Sequence, residues 1–495
     1  MASPTEDLRE RLAVLADLRA AGSLLGWDRA TMMPPRGAEP RGDVQATLDT
    51  LVHELLAGPE LAELLDTVEA SAPTGEDAAI ARVVRRDHDR ATRIPVELTS
   101  EMALATAAAL PAWTAAREAS DFAAFRPHLE RQVELRRQVA ACFPEVDHPY
   151  DALLEDHEPG ATTAAVSDVF ATLREGLVPL IGDIAEHAEP ATLPGPFAPA
   201  GQRALALDMA RAIGYDDEGW RLDDSTHPFS MTVGAGDQRV TARWQDGDLS
   251  GIFAVLHEVG HGLYEQQIAA SLRRTMLDAG TSYGVHESQS RLWENQVGRS
   301  RAFWSHWLPR AQAELPSLAG MGLDDFLRRV NVVRPTFIRV EADEATYALH
   351  VILRFQLEVA LIEGTLAVAD IPAAWNDGMR DLLGIDVPDD AHGCLQDIHW
   401  AFGELGYFPT YAIGSVMSAQ FWEALTGQVD GVEDALAAGD CAPVRDWLRE
   451  HVHRHGRTMD PPELLRAATG SDLDPAPLLR YLREKYGALY GLSVS

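Results

Sequence analysis

Apolar residues recur every three or four positions through most of this 495-residue chain, in segments rich in Ala, Leu, Arg and Glu, and that periodicity commits it to helix. The spacing predicts helices over 8–25, 43–56, 125–141 and 170–187, with breaks at Met33-Pro34-Pro35-Arg36-Gly37 and Ala72-Pro73-Thr74-Gly75, where proline and glycine stop a helix. One region departs from the pattern. Residues 230–233 and 239–244 flank Gly234-Ala235-Gly236-Asp237 and predict a β-hairpin just ahead of the most informative motif. The fold class expected is therefore mostly α, with a small β-hairpin or sheet.

At 46% apolar residues the chain can bury one large core or two ordinary ones. The clearest connector is 189–201, with prolines at 190, 194, 196 and 199. It separates an N-terminal helical part, 1–188, from the part that holds the chemistry, 202–495. No later break matches it, so it reads as a long surface loop in a single domain spanning 1–495.

Charge and cysteine content exclude several classes of function. Asp and Glu number 76 against 42 Lys and Arg, a formal net charge of −34, so phosphate backbones and anionic lipid surfaces are repelled. No nucleic-acid or membrane partner is expected. The three cysteines, Cys142, Cys394 and Cys441, show no Cys-x-x-Cys spacing, which argues for a reducing compartment and against a disulfide framework. The N-terminus lacks the basic and then apolar order of a secretory signal. The most apolar stretch, 349–368, carries Arg354, Glu358 and Glu363, which suit a buried helix better than a membrane span. A soluble cytoplasmic protein is the expectation.

His257-Glu258-Val259-Gly260-His261 is a His-Glu-x-x-His motif inside an apolar helical run. Histidines at i and i+4 stand one above the other on a helix face, so their rings can converge on one ion, and the adjacent glutamate can reach a water on it. A catalytic zinc site needs a third protein ligand and an open position. Glu265 is too far away, eight residues from His257, or roughly 12 Å along the axis at about 1.5 Å per residue. Residues 283–295 read as a second helix able to pack beside the first and offer His286, Glu287 and Glu294. Spacing does not choose among these three.

The motif together with His286-Glu287-Ser288-Gln289-Ser290-Arg291-Leu292-Trp293-Glu294-Asn295 resembles the carboxypeptidase Taq family of metallocarboxypeptidases. Further signatures of that family stand in order: His227-Pro228-Phe229, Asp237-x-Arg239-x-Thr241, Ile338-Arg339-Val340-Glu341-Ala342-Asp343, and Gly393-x-x-Gln396-Asp397-x-His399-Trp400. Trp27-Asp28, Tyr150-Asp151-Ala152-Leu153-Leu154, Tyr407-Phe408-Pro409-Thr410-Tyr411 and His453-Arg454-His455-Gly456 extend the likeness over nearly the whole chain. The departure is His157, where family members commonly carry Tyr.

The resemblance implies a single helical domain with a deep active-site groove, and one zinc per subunit on His257, His261 and Glu287. It also implies a homodimer and release of single residues from free peptide C-termini with broad specificity. Such a ligand set also accepts cobalt. In that chemistry Glu258 acts as general base on a water activated by zinc and then passes its proton to the leaving amine. His399, Tyr407 or Tyr411 would supply a second donor to the oxyanion, and Arg239 or Arg339 a bidentate clamp on the terminal carboxylate. Each arginine also has an acidic neighbour, Asp237 or Asp343, with which it could form a structural pair. His451-Val452-His453-Arg454-His455 reads as structural rather than as a second metal site. The nearest competing reading is a zinc oligopeptidase that cuts internal bonds; a more distant one is a non-catalytic helical binding protein.

Overall fold

The computed structural model describes residues 3–187, 190 and 192–492. Its first helix, Pro4–Thr31, starts where the sequence dictates: Ser3 Oγ accepts from Glu6 N at 3.2 Å, the Glu6 carboxylate accepts from Ser3 N at 2.6 Å, and Pro4 opens the first turn. Leu8, Leu12 and Leu15 lie on one stripe and are buried. They pack with Leu61, Leu65 and Val68 of the Pro59–Ala70 helix and with Ile80, Val83 and Val84 of the Gly75–Arg93 helix. This smaller core is closed by Ile268, Leu272, Met276 and Leu277, from the segment that follows the metal-motif helix. The N-terminal helices are thus tied directly to the chemical centre of the chain.

The expected helices lie within or closely overlap the observed Pro4–Thr31, Ala38–Ala57, Phe122–Ala141 and Thr163–Ala185. The proline-rich connector does not divide two cores. Residues from Leu98 to Ile184 belong to the same large apolar cluster as Ile252, Leu256 and Val259 of the motif helix. Phe197, inside the connector, is fully buried, and its backbone N donates to Asp246 O at 2.8 Å. Glu189 and Ala191 of that connector, like Ala188 at the end of the N-terminal part, lie outside the described residues.

The predicted hairpin is β2 (Ser230–Gly234) and β3 (Asp237–Ala242), paired antiparallel with Met231 opposite Arg239 and a register shift between Thr232 and Gly234. Arg243 and Trp244 fall beyond the strand. A third strand, β1 (Trp220–Asp224), escaped sequence reading and pairs parallel with β3, giving the order β1-β3-β2. Its five residues, Trp-Arg-Leu-Asp-Asp, do not alternate, because Leu222 and Asp223 are both buried. The sheet packs on the motif helix, Ser250–Gln266.

The apolar stretch expected over 349–368 forms the helix Tyr347–Glu363, ended by Gly364 in the left-handed region at φ 84°. Arg354 and Glu358 are fully buried in it and fully partnered. Among the described residues no helix is long and apolar enough to cross a membrane.

Candidate metal centre

Two helices build the centre. The first, Ser250–Gln266, carries His257, Glu258 and His261; the second, Tyr283–Arg291, carries Glu287 and continues through a wider π-helical turn, Leu292–Val297. Gly260 lets them touch: a Cβ there would stand 2.7 Å from Gln289 O and 2.8 Å from Ser290 Cα. Only a glycine permits that approach without moving one backbone off the other.

His257 Nε2 and His261 Nε2 each lie 3.6 Å from Glu287 Oε2, and the three ligand atoms all fall within 4.8 Å of one another. Tetrahedral ligands at zinc distances of about 2.0–2.1 Å stand roughly 3.3–3.4 Å apart, so the trio fits a divalent ion after small adjustments. The outward nitrogens are engaged elsewhere: His257 Nδ1 with Glu294 Oε2 at 2.9 Å, His261 Nδ1 with His286 Nδ1 at 2.9 Å. With the protons on Nδ1, both Nε2 lone pairs face the centre. Glu287 Oε1 accepts from Arg291 Nε at 2.7 Å, and Oε2 from Ser290 Oγ at 3.1 Å.

The two other candidates for third ligand bond the outward nitrogens of the two histidines. Glu294 orients His257 and is itself held by Arg291 and Arg299, at 3.3 and 3.4 Å. His286 orients His261 and is held through Nε2 by Glu265 at 2.6 Å. A cavity of about 480 Å³ opens onto His286, Glu265, Tyr283 and His157.

Charge at the centre follows burial and neighbours. Burial pushes the Glu258 carboxyl up to about 7, against the pull of His257 beside it. Burial opposes a charge on His257, but Glu287 and Glu294 outweigh it and raise that ring to about 8. In His261 burial acts together with the neighbouring His257 and His286 and holds the ring well below the usual histidine range.

Four of the other sequence candidates gather in one aromatic and cationic cluster. His399 Nε2 lies 3.2 Å from Tyr411 OH, and the Tyr407 ring is 5.3 Å from Tyr411 and 5.5 Å from His399. Burial lowers the His399 ring to about 4, so it is neutral at physiological pH. The Arg339 guanidinium lies 4.8 Å from the Tyr411 ring centroid; it donates to Asp397 Oδ1 at 2.8 and 3.1 Å and to Tyr347 OH at 3.0 Å. Asp397, and not the Asp343 considered from spacing, is its carboxylate partner.

Arg239 is not part of that cluster. It forks onto its neighbour Asp237 at 2.9 and 3.0 Å and stacks 4.2 Å over Trp27 of the first helix. Sequence reading gave no role to Arg291, Tyr347 or Arg354. Arg291 bonds Glu287 and lies 4.1 Å over the Tyr347 ring, and Arg354 shares Asp397 with Arg339. Arg291 had one local signal, its i+4 spacing from Glu287; Tyr347 and Arg354 had none. His453 of the histidine tract is fully buried between Gln267 and Gln289, at 2.7 and 2.8 Å.

Comparison with known proteins identifies the family. Residues 7–486 match the family model described as carboxypeptidase Taq (M32) metallopeptidase. The chain is 39% identical to thermostable carboxypeptidase 1 of Thermus thermophilus, over 98% of this chain and 99% of that one. It is 37% identical to carboxypeptidase 1 of Bacillus subtilis, over 98% and 97% respectively. The crystal structure of an M32 carboxypeptidase from Deinococcus radiodurans superposes with a TM-score of 0.96 at 42% identity, covering 99% of both chains. The chain belongs to the carboxypeptidase Taq (M32) metallopeptidase family, and it is a metallocarboxypeptidase that takes a metal cofactor.

Proposed function

We propose that one zinc ion per subunit is held by His257, His261 and Glu287, and that Glu258 is the general base for removal of single C-terminal residues with broad specificity. The observation that carries this reading is the convergence of three ligand atoms within 4.8 Å, with Glu258 on the residue next to the first of them. When bound, the metal supplies Lewis-acid polarisation of the scissile carbonyl and acidifies a water. Glu258, buried and raised to about 7, takes a proton from the attacking water at its carboxylate and delivers it to the leaving amine nitrogen. A carboxylate poised near neutrality can do both. Cobalt would serve in the same ligand set.

Neutral His399 and the phenols of Tyr407 and Tyr411 are the candidate donors to the developing oxyanion. Arg339, beside Tyr411, is the better placed clamp for the terminal carboxylate; Arg239 is the second candidate. The chain is proposed to act as a single domain over 1–495 and as a cytoplasmic homodimer, in line with the resemblance of its motifs to the family.

The test is Glu258→Gln, which leaves all three ligands in place. Metal content should stay at one per chain while hydrolysis of a free-acid peptide falls by about 100-fold or more. Retention of more than about a tenth of wild-type activity would remove Glu258 from the role. A C-terminally amidated peptide separates the endopeptidase reading: cleavage at the free-acid rate would favour it.

A further inference from the structure

Glu287 is oriented by Ser290 and Arg291, and both ride on its own helix. Those bonds set the carboxylate relative to the helix. They do not set the helix relative to His257 and His261, so something must fix where its first turn stands.

The four N–H groups that open a helix have no partner within it. In the Tyr283–Arg291 helix those of Tyr283, Gly284 and Val285 are met by other groups, and the helix's own ladder begins at His286. Tyr283 N donates to His157 O at 3.1 Å, Gly284 N to Glu158 Oε2 at 2.9 Å, Val285 N to Ser282 Oγ at 3.0 Å and His286 N to Ser282 O at 3.0 Å. Two of the four acceptors come from a dipeptide more than 120 residues upstream, and Glu158 also accepts from Ser282 Oγ at 2.9 Å. Glu158 is only 3% exposed. Its fit is close: a Cβ on Gly284 would sit 2.4 Å from Glu158 Oε2, so the carboxylate occupies the space a side chain would take. Glu287 lies three residues on, less than one turn, or roughly 4.5 Å along the axis. The ring of His157 packs edge-on against Tyr283 and Tyr407, at 5.6 and 5.1 Å, joining the same latch to the aromatic cluster.

We propose that Glu158 is a positioning residue for the metal centre, latching the first turn of the Tyr283–Arg291 helix so that Glu287 stands at coordinating distance from His257 and His261. This rests on the ligand set proposed above. Burial pushes the Glu158 carboxyl up to about 7, so the latch rests on its hydrogen bonds to Gly284 and Ser282, and only its ionised form adds an interaction with the positive end of the helix dipole.

The experiment titrates the metal-free protein with Co²⁺ and reads both the dissociation constant and the visible d–d absorption, for wild type, Glu158→Ala, Glu158→Gln and Glu287→Ala. Glu158→Gln can accept from Gly284 N through its amide oxygen and donate to Ser282 Oγ, so it should bind within about 3-fold of wild type. Glu158→Ala should fold, by far-UV circular dichroism, yet bind Co²⁺ about 10- to 100-fold more weakly, the range for loss of an outer partner of a metal ligand. An altered absorption band should accompany the loss. Wild-type affinity and spectrum in folded Glu158→Ala would overturn the proposal. If that variant does not fold, Glu158→Asp, which withdraws the carboxylate by one methylene, is read the same way. Glu287→Ala separates the two claims: if it binds Co²⁺ like wild type, the ligand set itself fails, whereas loss there with normal binding in Glu158→Ala defeats only the latch.

Discussion

Asp397 is where removal of one charge should cost most. Its Oδ1 accepts from Arg339 at 2.8 and 3.1 Å and its Oδ2 from Arg354 Nε at 2.7 Å. Arg354 is 0% and Arg339 4% exposed, so Arg354 has no water and Arg339 little water to fall back on. With charge centres about 4 Å apart and an effective dielectric near 20, each pair is worth about 4 kcal/mol of attraction against the desolvation of the charges. Asp397→Asn deletes that attraction but leaves both guanidiniums buried, with an amide NH₂ facing one of them. Breaking a buried pair in this way costs about 3–5 kcal/mol, which urea unfolding of the metal-free protein at pH 7 would measure. Burial works against the Asp397 charge, but Arg339 and Arg354 outweigh it and hold the carboxyl well below the usual range. Its contribution is therefore present above the ordinary aspartate range and lost only as pH falls through the depressed value, so pH 7 lies inside the window. In an Arg354→Met background only one guanidinium depends on the carboxylate, and Asp397→Asn should cost about 1–3 kcal/mol less. A loss below about 1 kcal/mol in the wild-type background would refute the argument, since it would mean that water or another anion replaces Asp397.

Two further outcomes are expected. Changing Arg339 and Arg239 singly to Met keeps much of the apolar stem; Arg339→Met should lower kcat/KM on a free-acid peptide at least about tenfold more than on its amide, because a charge-assisted bond to the terminus is worth about 1.5–3 kcal/mol. Equal losses on acid and amide in both variants would exclude either arginine from reading the terminus. Burial lowers the His453 ring from 6.5 to about 3, so the native state stays unprotonated while the unfolded chain takes a proton below about 6.5. The sign follows: stability is complete above the unfolded value and is lost as pH falls towards the folded one, by about 1.4 kcal/mol per unit for this group. His453→Gln lacks that term, so the stability gap between wild type and variant should narrow at about that rate between pH 6 and 4.5; a constant gap would show a ring that is protonated when folded.

The fold was legible wherever local chemistry decides it. Ser3 and Glu6 form a capping box encoded within four residues, and the helices over Ala38–Ala57 and Phe122–Ala141 follow from a stripe repeated every turn. What stayed hidden depends on partners distant in sequence. β1 exists because Trp220–Asp224 finds β3 alongside it, and no period in five residues announces a parallel strand buried at Leu222 and Asp223. The connector read as a long surface loop is anchored at one point, because Phe197 is buried in the same apolar cluster as residues before and after it. Arg354 and Glu358, read as charges on a buried helix, are enclosed with Asp397, Tyr150 and Trp400, from two other parts of the chain.

The same distinction explains the metal site. His257, Glu258 and His261 share one helix, so their spacing already fixes that they meet. The third ligand could not be chosen among His286, Glu287 and Glu294, because the choice depends on how a second helix crosses the first and on a π-turn that resets the register before Glu294. All three residues lie against His257 or His261, and in the proposed ligand set the demands of imidazole sort them. A ring that binds through Nε2 must hand its Nδ1 proton to an acceptor, so two coordinating histidines require two outward acceptors as well as one inward carboxylate. Glu294 Oε2 meets the first need directly. His286 can meet the second only as the tautomer protonated on Nε2, and Glu265, 2.6 Å from that nitrogen, holds it so. Glu265, too distant to bind the ion itself, thus fixes the proton on the residue that fixes His261. A second helix offering three polar side chains after a His-Glu-x-x-His motif is then better read as one ligand and two orienting acceptors than as three rivals for a single place.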